Sequence, residues 1–328
     1  MFYHSDTDGF CSAVIFSKTV EKLGAETIEA VAIESPDSLS KKICEKKLSN
    51  VVILDLSVDS ELNLIKKLEK SSYVLILDHH KLYNDVNSKK TILVKPQFLS
   101  SIEPSSYPAS KLCFDLCSCV VNIDSFAWIA AVGIIGDFSY NQWKTFVDKA
   151  AKRAEVSVDE LKIISEIINA VQVVSPDAFP KLFELFKISV PKDVLNSEFD
   201  ALRKKAIKEL EFWKNKFYKN AEYYEDIELY YLKIRPKYRI KSMLIDSLTK
   251  EFPNKTIIIA EDLGDDFIRV SARRQDFKIQ MNSLLENAIS GIKGATAGGH
   301  VPAAAAKIPR AKFGEFKKNI LKILRNKQ

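Results

Sequence analysis

No apolar run in this sequence of 328 residues approaches the roughly 20 residues that a membrane-spanning helix needs. The longest candidate, residues 126–135, is soon followed by Asp137. The N-terminus also lacks the basic segment and apolar block of a secretory signal. We therefore expect a soluble, cytoplasmic protein without a membrane partner.

Cysteine is scarce and odd in number, with five residues in the chain. This argues against a disulfide framework and for a reducing compartment. Cys113, Cys117 and Cys119 form a cluster, but no fourth cysteine or histidine lies nearby in sequence to complete a tetrahedral zinc site. We interpret these three residues as small apolar positions of a helix.

Histidine is scarcer still, with four residues. His4 begins the segment His-Ser-Asp-Thr-Asp-Gly, and His300 follows two glycines. His79 and His80 end the segment Leu-Asp-His-His. A lone histidine is ordinarily a surface residue or a satisfied core residue. Because all four lie in short polar or glycine-containing clusters, they indicate chemistry rather than packing.

The formal net charge of +6 is unevenly distributed. Residues 307–328 hold eight Lys or Arg and one Glu, so this tail carries +7 and the rest of the chain about −1. A basic tail is often only the solvated face of a helix. Beside a site for a polyanion it would instead supply sequence-independent affinity for phosphates. Both interpretations stay open.

Up to about residue 140, short β-type runs alternate with longer amphipathic stretches. This order predicts an α/β fold with a mostly parallel sheet flanked by helices. The predicted strands are 1–3, 28–33, 51–56 and 73–77, and the predicted helices are 12–23, 38–47 and 60–70.

The length of the chain favours two domains. Residues 125–187 have helical spacing broken by prolines, and 196–224 suit one long basic helix. A second, smaller α/β pattern follows, with strands at 227–234, 256–261 and 267–272 and helices at 240–252 and 282–289. We predict domains at 1–191 and 225–328, joined by a connecting helix at 192–224.

Acidic residues and histidines fall just after the predicted strands, where an open α/β sheet builds its site. Hard divalent ions take oxygen and imidazole ligands, and two ions about 3.5–4 Å apart clamp a phosphoryl displacement. Without cysteine ligands, manganese or magnesium is favoured over structural zinc. The candidates suffice for two ions: His4, Asp6, Asp8, Asp55, Asp78, His79, His80 and Asp137.

These residues resemble the motifs of the DHH phosphoesterase superfamily, in particular RecJ-like nucleases and oligoribonucleases with a C-terminal DHH-associated domain. The name-giving triplet would be Asp78-His79-His80, and the first motif His4 to Gly9. The other elements are Asp55, Gly136-Asp137, the run 270–274 and the glycine-rich run 298–304. Each is weak alone, but all appear in order across nearly the whole chain.

The resemblance implies a two-metal site with manganese, or alternatively magnesium, in a cleft between the two domains. His4, Asp6 and Asp55 would hold one ion. Asp8, Asp55, His79 and Asp137 would hold the second, with Asp55 as the bridge and a water between the ions as the nucleophile. As further catalytic residues, His80 would face the scissile phosphate and Asp78 would orient the histidines.

The resemblance also implies that the C-terminal domain grips the substrate. Arg273 is the candidate for bidentate phosphate binding, whereas Arg274 would point to the opposite face of a strand. Asn282 is a weaker candidate, because as a helix N-cap it would need no functional explanation. The remaining candidates are Gly298 and Gly299, which allow close backbone approach, and His300 as a donor. Ala305 stands where the family commonly has glycine.

Three functions stay open. The first is a manganese-dependent phosphodiesterase, a RecJ-like exonuclease on single-stranded RNA or DNA, including short oligonucleotides. The second is hydrolysis of a small phosphoester, such as nano-RNA, a bisphosphorylated nucleoside or a cyclic dinucleotide. The third is an inactive single-strand-binding replication scaffold, whose signature would be lost metal ligands. Oligomerisation is compatible with each.

Overall fold

The computed structural model of the protein describes residues 1–25, 28–43, 48–299 and 301–326. The chain divides into two compact units, Met1–Arg203 and Lys204–Gln328, each with its own β-sheet. Within the described ranges, no helix combines the length and the apolarity needed to cross a membrane. The separate connecting segment at 192–224 stays a prediction.

The first unit is built on five parallel strands in the order β2-β1-β3-β4-β5. The predicted parallel sheet is therefore confirmed. Its central strands are rich in Val, Ile and Leu, as expected for a sheet that is covered on both faces. The strands are β1 Phe2–His4, β2 Val31–Ile33, β3 Asn50–Leu54, β4 Tyr73–Leu77 and β5 Thr91–Val94.

Ten helices of the described chain pack in this unit, and an eleventh begins at its end. They are α1 Thr7–Lys22, α2 Pro36–Ile43, α3 Leu62–Glu69, α4 Pro96–Leu99, α5 Ala109–Ser118, α6 Ala127–Gly136, α7 Tyr140–Arg153, α8 Val158–Val174, α9 Phe179–Ile188, α10 Pro191–Leu195 and α11 Asp200–Asn220. Cys113 and Cys117 lie buried on α5, in agreement with the apolar interpretation, whereas Cys119 is the exposed C-cap of that helix, so the interpretation is wrong for it.

Neighbouring residues of each strand enter different cores, because side chains alternate between the faces of a sheet. Phe2 and Ile53 pack in a core that includes buried residues of α2 and α3. Tyr3 and Leu54 enter a larger core with α1, α5, α6, α8 and α9. The helices thus flank the sheet on both faces, and the C-terminal ends of its strands remain available for polar side chains.

The second unit contains a mixed sheet in the order β10-β11-β9-β8-β7-β6. Strands β7 and β8 are parallel and the other neighbours antiparallel. This confirms a smaller C-terminal α/β unit. Its elements are β6 Glu222–Tyr224, β7 Leu229–Ile234, α12 Lys241–Glu251, β8 Thr256–Asp262, β9 Phe267–Arg273, α13 Met281–Ala288, β10 Thr296–Gly299, β11 Ala303–Pro309 and α14 Phe313–Arg325.

The basic tail forms α14, which has one buried face. Phe316, Ile320 and Leu324 lie in the core of the second unit at helical spacing. Two of its cations are paired across the unit, Lys317 with Glu222 and Arg325 with Asp226. The tail is therefore an integral helix of this unit, and truncation after Pro309 would remove part of its core.

Several elements differ from the sequence prediction. Strands β5, β6, β10 and β11 were not predicted, because runs of four residues or fewer, or of Gly and Ala, carry little β signal. Helix α1 begins at Thr7 rather than at residue 12. Helix α11 ends at Asn220 rather than at 224. The predicted end of the helix 38–47 lies partly outside the described residues.

Arg310 fixes the start of the tail to the end of β8. Its Nη1 and Nη2 donate to the two carboxylate oxygens of Asp262 at 2.8 and 2.6 Å. The hydrogen bonds from Arg310 hold the pKa of Asp262 below its usual range. The stabilisation is therefore complete above the unfolded-state pKa of about 3.9 and is lost as the pH falls through the lower folded-state pKa.

We expect Arg310→Ala to lower the free energy of unfolding at pH 7 by more than Arg325→Ala does, measured by urea denaturation, because Asp262 loses a partner that binds both of its oxygens. The difference from the wild type should shrink below about pH 4. As a control, Arg325→Ala removes a pair whose side chains are 53% and 49% exposed, and should cost less than about 1 kcal/mol. An Arg310→Ala effect that grows on acidification would contradict the assignment.

Candidate metal centre

Four strands of the parallel sheet end in the residues that build the site. His4 ends β1, Asp55 follows β3, Asp78 follows β4 and Lys95 follows β5. The last residues of β3, β4 and β5 are paired in register. The backbone NH groups of Asp55 and Asp78 still donate to the neighbouring strand, at 2.8 and 3.2 Å. Parallel pairing therefore brings the side chains at these strand ends together at the C-terminal end of the sheet.

The turn between β1 and α1 supplies two of the polar side chains. Asp6 is the N-cap of α1, and its carboxylate accepts from the backbone NH of Gly9 at 3.0 Å. The Nδ1 of His4 lies 2.8 Å from Asp6 Oδ2. A Cβ at residue 9 would stand 2.3 Å from the His4 carbonyl oxygen, so the tight turn requires glycine.

Asp55 lies among the histidines. Its backbone is left-handed, with a φ of 58°, and its side chain is 2% exposed. Asp55 Oδ2 lies 3.7 Å from His4 Nδ1, and Oδ1 lies 3.5 Å from His79 Nε2 and 3.8 Å from His80 Nδ1. One buried carboxylate thus faces three imidazole rings.

Asp8 connects the site to the interior. Its two oxygens accept from the backbone NH groups of Ala109 and Ser110, the first residues of α5, at 2.6 and 3.0 Å. Ligand atoms of Asp8, His79 and Asp137 lie within 4.8 Å of one another. Asp137 caps the C-terminus of α6, and its Oδ2 lies 4.0 Å from His79 Nδ1.

The pKa values of the carboxyl groups in the site reflect burial and their mutual repulsion. Burial and the charge of Asp6 raise the pKa of Asp55 well above its usual range, and burial also raises the pKa of Asp8. Burial, with the charges of Asp8 and Asp6, raises the pKa of Asp137 to about 9. Burial opposes ionisation of Asp6 too, but the charge and hydrogen bond of His4 hold its pKa below the usual range.

This donor set fits divalent cations. In the described chain, three groups offer ligand atoms within 4.8 Å of one another: His4, Asp6 and Asp55; Asp8, His79 and Asp137; and Asp55, His79 and His80. Asp55 Oδ1 is buried and lacks a hydrogen-bond partner. An unpaired buried polar atom is costly, and a cation would satisfy it while offsetting the negative charge. Hard oxygen donors with imidazole suit manganese or magnesium.

Asp78 belongs to none of these groups and instead joins a buried network. His80 Nδ1 lies 2.7 Å from Asp78 Oδ1, and Lys95 Nζ lies 2.8 Å from Asp78 Oδ2. Lys95 also contacts Asp59 at 3.0 Å and donates to the carbonyls of His80 and Lys81. Burial would raise the pKa of Asp78, but the bonds and charges of His80 and Lys95 hold it below its usual range.

Lys95 and Asp59 were missed by sequence reasoning. The side chains of both are fully buried, so Lys95 forms buried ion pairs with two carboxylates at once. A charged residue directly after a β-type run is the signal that indicated Asp55 and Asp78. The same signal would have indicated Lys95, but the four-residue strand β5 before it was not predicted.

In the second unit, the two candidate arginines have different surroundings. Arg273 Nε lies 3.3 Å from Asp246 Oδ1, and its side chain is 20% exposed. Arg274 is 2% exposed and donates to Asp276, Glu228 and Thr256. Its guanidinium is therefore committed to internal partners, which is the opposite-face orientation expected from strand alternation.

The other substrate candidates lie on α13 and β10. Asn282 is the second residue of α13 rather than its N-cap, and its Oδ1 is buried without a partner. Gly299 has a φ of 140°, and a Cβ there would stand 2.5 Å from the Ala303 carbonyl, whereas a Cβ on Gly298 would meet open space. Gly299 is thus required by its own hairpin. His300 lies outside the described residues.

Two family models match the chain, one in each unit. Residues 1–136 match the N-terminal domain of the DHH family, and residues 231–326 match the DHHA1 domain. The chain therefore belongs to the DHH phosphoesterase superfamily. Among curated proteins, none matches the chain in sequence.

Solved structures share this fold at low identity. A DHH-domain protein described as a member of the s1p family of ribosomal proteins has a TM-score of 0.76 at 17% identity, covering 99% of this chain and 85% of that chain. RecJ from Thermus thermophilus, in complex with Mn2+, has a TM-score of 0.74 at 17% identity, covering 99% and 51%. The pGpG-specific phosphodiesterase PggH from Vibrio cholerae has a TM-score of 0.55 at 13% identity, covering 100% and 99%. The chain spans about half the length of that RecJ, and likeness at this identity shows the fold alone.

We expect Lys95→Met to lower the free energy of unfolding by about 3 to 5 kcal/mol in chelator, because it removes the one buried cation that neutralises both Asp59 and Asp78. As a control, Lys144→Met breaks a pair with side chains 63% and 41% exposed and should leave the free energy of unfolding nearly unchanged. If Lys95→Met does not fold, adding Asp59→Asn should recover part of the loss. Equal effects of the two lysine variants would refute the buried network.

Proposed function

We propose that the protein is a manganese-dependent phosphodiesterase that hydrolyses single-stranded RNA or DNA, including short oligonucleotides. The observation that carries the proposal is the overlap of the three ligand groups, which share Asp55 and His79. Shared ligands favour two ions side by side. When bound, two such ions offset phosphate charge and activate a water.

The geometry supports the roles that the family resemblance implies. His4, Asp6 and Asp55 would hold one ion, and Asp8, His79 and Asp137 the other. Asp55 would bridge them, because it also belongs to the group with His79 and His80. Asp78 orients His80 through the bond to Nδ1, which leaves Nε2 of that ring for the substrate phosphate. Lys95 fixes Asp78 from the side opposite His80. The chain thus places an oriented imidazole beside the proposed ions.

A basic stripe on α11 supports a polyanionic substrate. It consists of the exposed residues Lys205, Lys208, Phe212, Lys216 and Lys219, which recur at helical spacing. Lys216 Nζ lies 5.7 Å from the centre of the Phe212 ring, which is itself 52% exposed. Cations interleaved with an aromatic ring are typical of surfaces that track a single strand.

A second candidate function is hydrolysis of dinucleotides, supported by the fold likeness to the pGpG-specific phosphodiesterase. This function would use the same metal ligands and differs from the first only in the length of the substrate. The filled ligand positions favour both enzymatic candidates over an inactive single-strand-binding scaffold, which needs no converging carboxylates.

The test is hydrolysis of end-labelled RNA and DNA, from two to about thirty nucleotides, with Mn2+, Mg2+ or chelator. A mononucleotide ladder on long strands would identify an exonuclease, and cleavage confined to the shortest substrates would favour the second candidate. No metal-dependent cleavage of any substrate would refute the proposal.

Asp55→Asn is the matched variant for this assay. Because it removes a shared ligand, turnover should fall by more than about 100-fold. It should also bind fewer Mn2+ ions by calorimetry. Its metal-free form should be at least as stable as the wild type, because the substitution removes one of the repelling carboxylates. Asp148→Asn, at an exposed carboxylate, should behave as the wild type in all three measurements, whereas near-wild-type turnover of Asp55→Asn would rule out the assignment.

The basic stripe is tested by a variant in which four lysines are changed to Gln, namely Lys205, Lys208, Lys216 and Lys219. This variant should bind long strands more weakly than the wild type, and its affinity for dinucleotides should be unchanged. The slope of log affinity against log salt should decrease by about 0.7 for each phosphate that the variant no longer neutralises. Replacing four exposed lysines of the first unit, Lys66, Lys70, Lys89 and Lys152, gives the same change in net charge. Equally weakened binding in both variants would mean that only net charge matters.

A further inference from the structure

One short segment of the first unit contacts two of the three ligands in the group Asp8, His79 and Asp137. This supporting segment consists of residues 104–110, a single turn of 3₁₀ helix followed by the start of α5. The carbonyl oxygen of its first residue, Pro104, lies 3.2 Å from His79 Nδ1. At its other end lie the two backbone NH groups that donate to the Asp8 carboxylate. The positions of both ligands therefore depend on the conformation of this segment.

The contact with Pro104 also determines which ring nitrogen of His79 is left for a metal ion. A carbonyl oxygen can only accept, so Nδ1 must carry the proton of this hydrogen bond. Nε2 is then the ligand atom, and it lies 3.5 Å from Asp55 Oδ1. Partners that fix the tautomer and the orientation of a ligating histidine typically change metal affinity about 10- to 100-fold when they are lost.

Trp143 on α7 holds the middle of the supporting segment. Its indole Nε1–H donates to the Ser106 carbonyl oxygen at 2.7 Å. The centre of the Trp143 ring lies 4.8 Å from that of Tyr107, and Lys111 Nζ lies 4.3 Å from the ring centre. The supporting segment is thus fixed to α7 by a directional hydrogen bond as well as by packing.

Trp143 is also connected to the third ligand of the group. Helix α7 begins at Tyr140, shortly after Asp137 in the chain. The backbone NH of Trp143 donates to the Ser139 carbonyl at 3.2 Å, and Ser139 Oγ lies 3.4 Å from Asp137 Oδ2. One residue therefore joins the supporting segment to the part of the chain that carries Asp137.

We propose that Trp143 is a positioning residue for the metal ion of this group, because its indole N–H fixes the segment that orients His79 and Asp8. The inference rests on the proposed function, in which Asp8, His79 and Asp137 hold one of the two ions. Phenylalanine at this position would keep most of the ring packing but would lack the donor. The hydrogen bond can therefore be tested separately from the ring.

The experiment compares Trp143→Phe with the wild type by calorimetric titration of the metal-free protein with Mn2+. The wild type should bind two ions. Trp143→Phe should bind one of them about 10-fold more weakly and the other, held by His4, Asp6 and Asp55, nearly unchanged. Asp137→Asn, at a ligand of the affected ion, should weaken the same binding step.

Trp213→Phe is the matched control. It also removes an indole hydrogen bond, which Trp213 Nε1 donates to Glu209 at 3.1 Å in the second unit. Because this bond does not involve the supporting segment, Trp213→Phe should bind both Mn2+ ions as tightly as the wild type. A loss of affinity in this control as large as that of Trp143→Phe would contradict the inference.

The tautomer of His79 gives a second readout that needs neither metal nor activity. In the metal-free wild type in mildly alkaline solution, nitrogen NMR should show the ring proton on Nδ1, with the signals assigned by comparison with His79→Gln. Trp143→Phe should contain a larger share of the form protonated on Nε2, because Asp55 Oδ1 is then the nearer acceptor. A general loss of stability would not change the tautomer.

The outcomes are distinguishable. If Trp143→Phe binds both ions as the wild type does, weakens both equally or keeps the wild-type tautomer, the inference is wrong and the proposed function stands. Should Trp143→Phe not fold, the wild type still decides, because a His79 ring protonated on Nε2 would refute the contact with Pro104. A wild-type protein that binds no Mn2+ overturns the proposed function, and the inference with it.

Discussion

The structure depends on bringing like charges together at one edge of a parallel sheet. Parallel pairing places the C-terminal ends of β1, β3, β4 and β5 side by side, so the polar residues at these ends must lie next to one another. Burial makes their repulsion strong, as the raised pKa of Asp55 reflects. The compensating positive charge comes from three sources, namely the histidines within the site, Lys95 and the cations that the site fits.

Lys95 divides this edge into two electrostatic regions. On its side, Asp78 and Asp59 are neutralised within the protein by the lysine. On the other side, Asp55, Asp8 and Asp137 are left to ligands from outside. The lysine thus separates carboxylates that are neutralised within the fold from carboxylates that the proposed metal site would use, and His80 lies between them through its bond to Asp78.

Sequence reasoning reached the first unit and its site because the information there is local. Each strand was a β-branched run followed by a polar residue, and parallel pairing then brought His4, Asp55 and Asp78 together. Lys95 escaped because its four-residue strand gives too short a pattern. In the second unit, the commitment of Arg274 to Glu228 and Asp276 depends on pairing between distant segments, which no local pattern reveals.

Asp8 has consequences for how such a chain can diverge. Its carboxylate belongs to a ligand group, yet both of its oxygens also accept the first amides of α5. The His4 ring is 29% exposed, and its contacts are with the carboxylates of the site rather than with the backbone of a buried helix. If a descendant lost the proposed metal site, its His4 could change, while selection for folding alone would preserve Asp8. An aspartate at this position in such a descendant would then reflect helix stability, and would not show that the proposed site is retained.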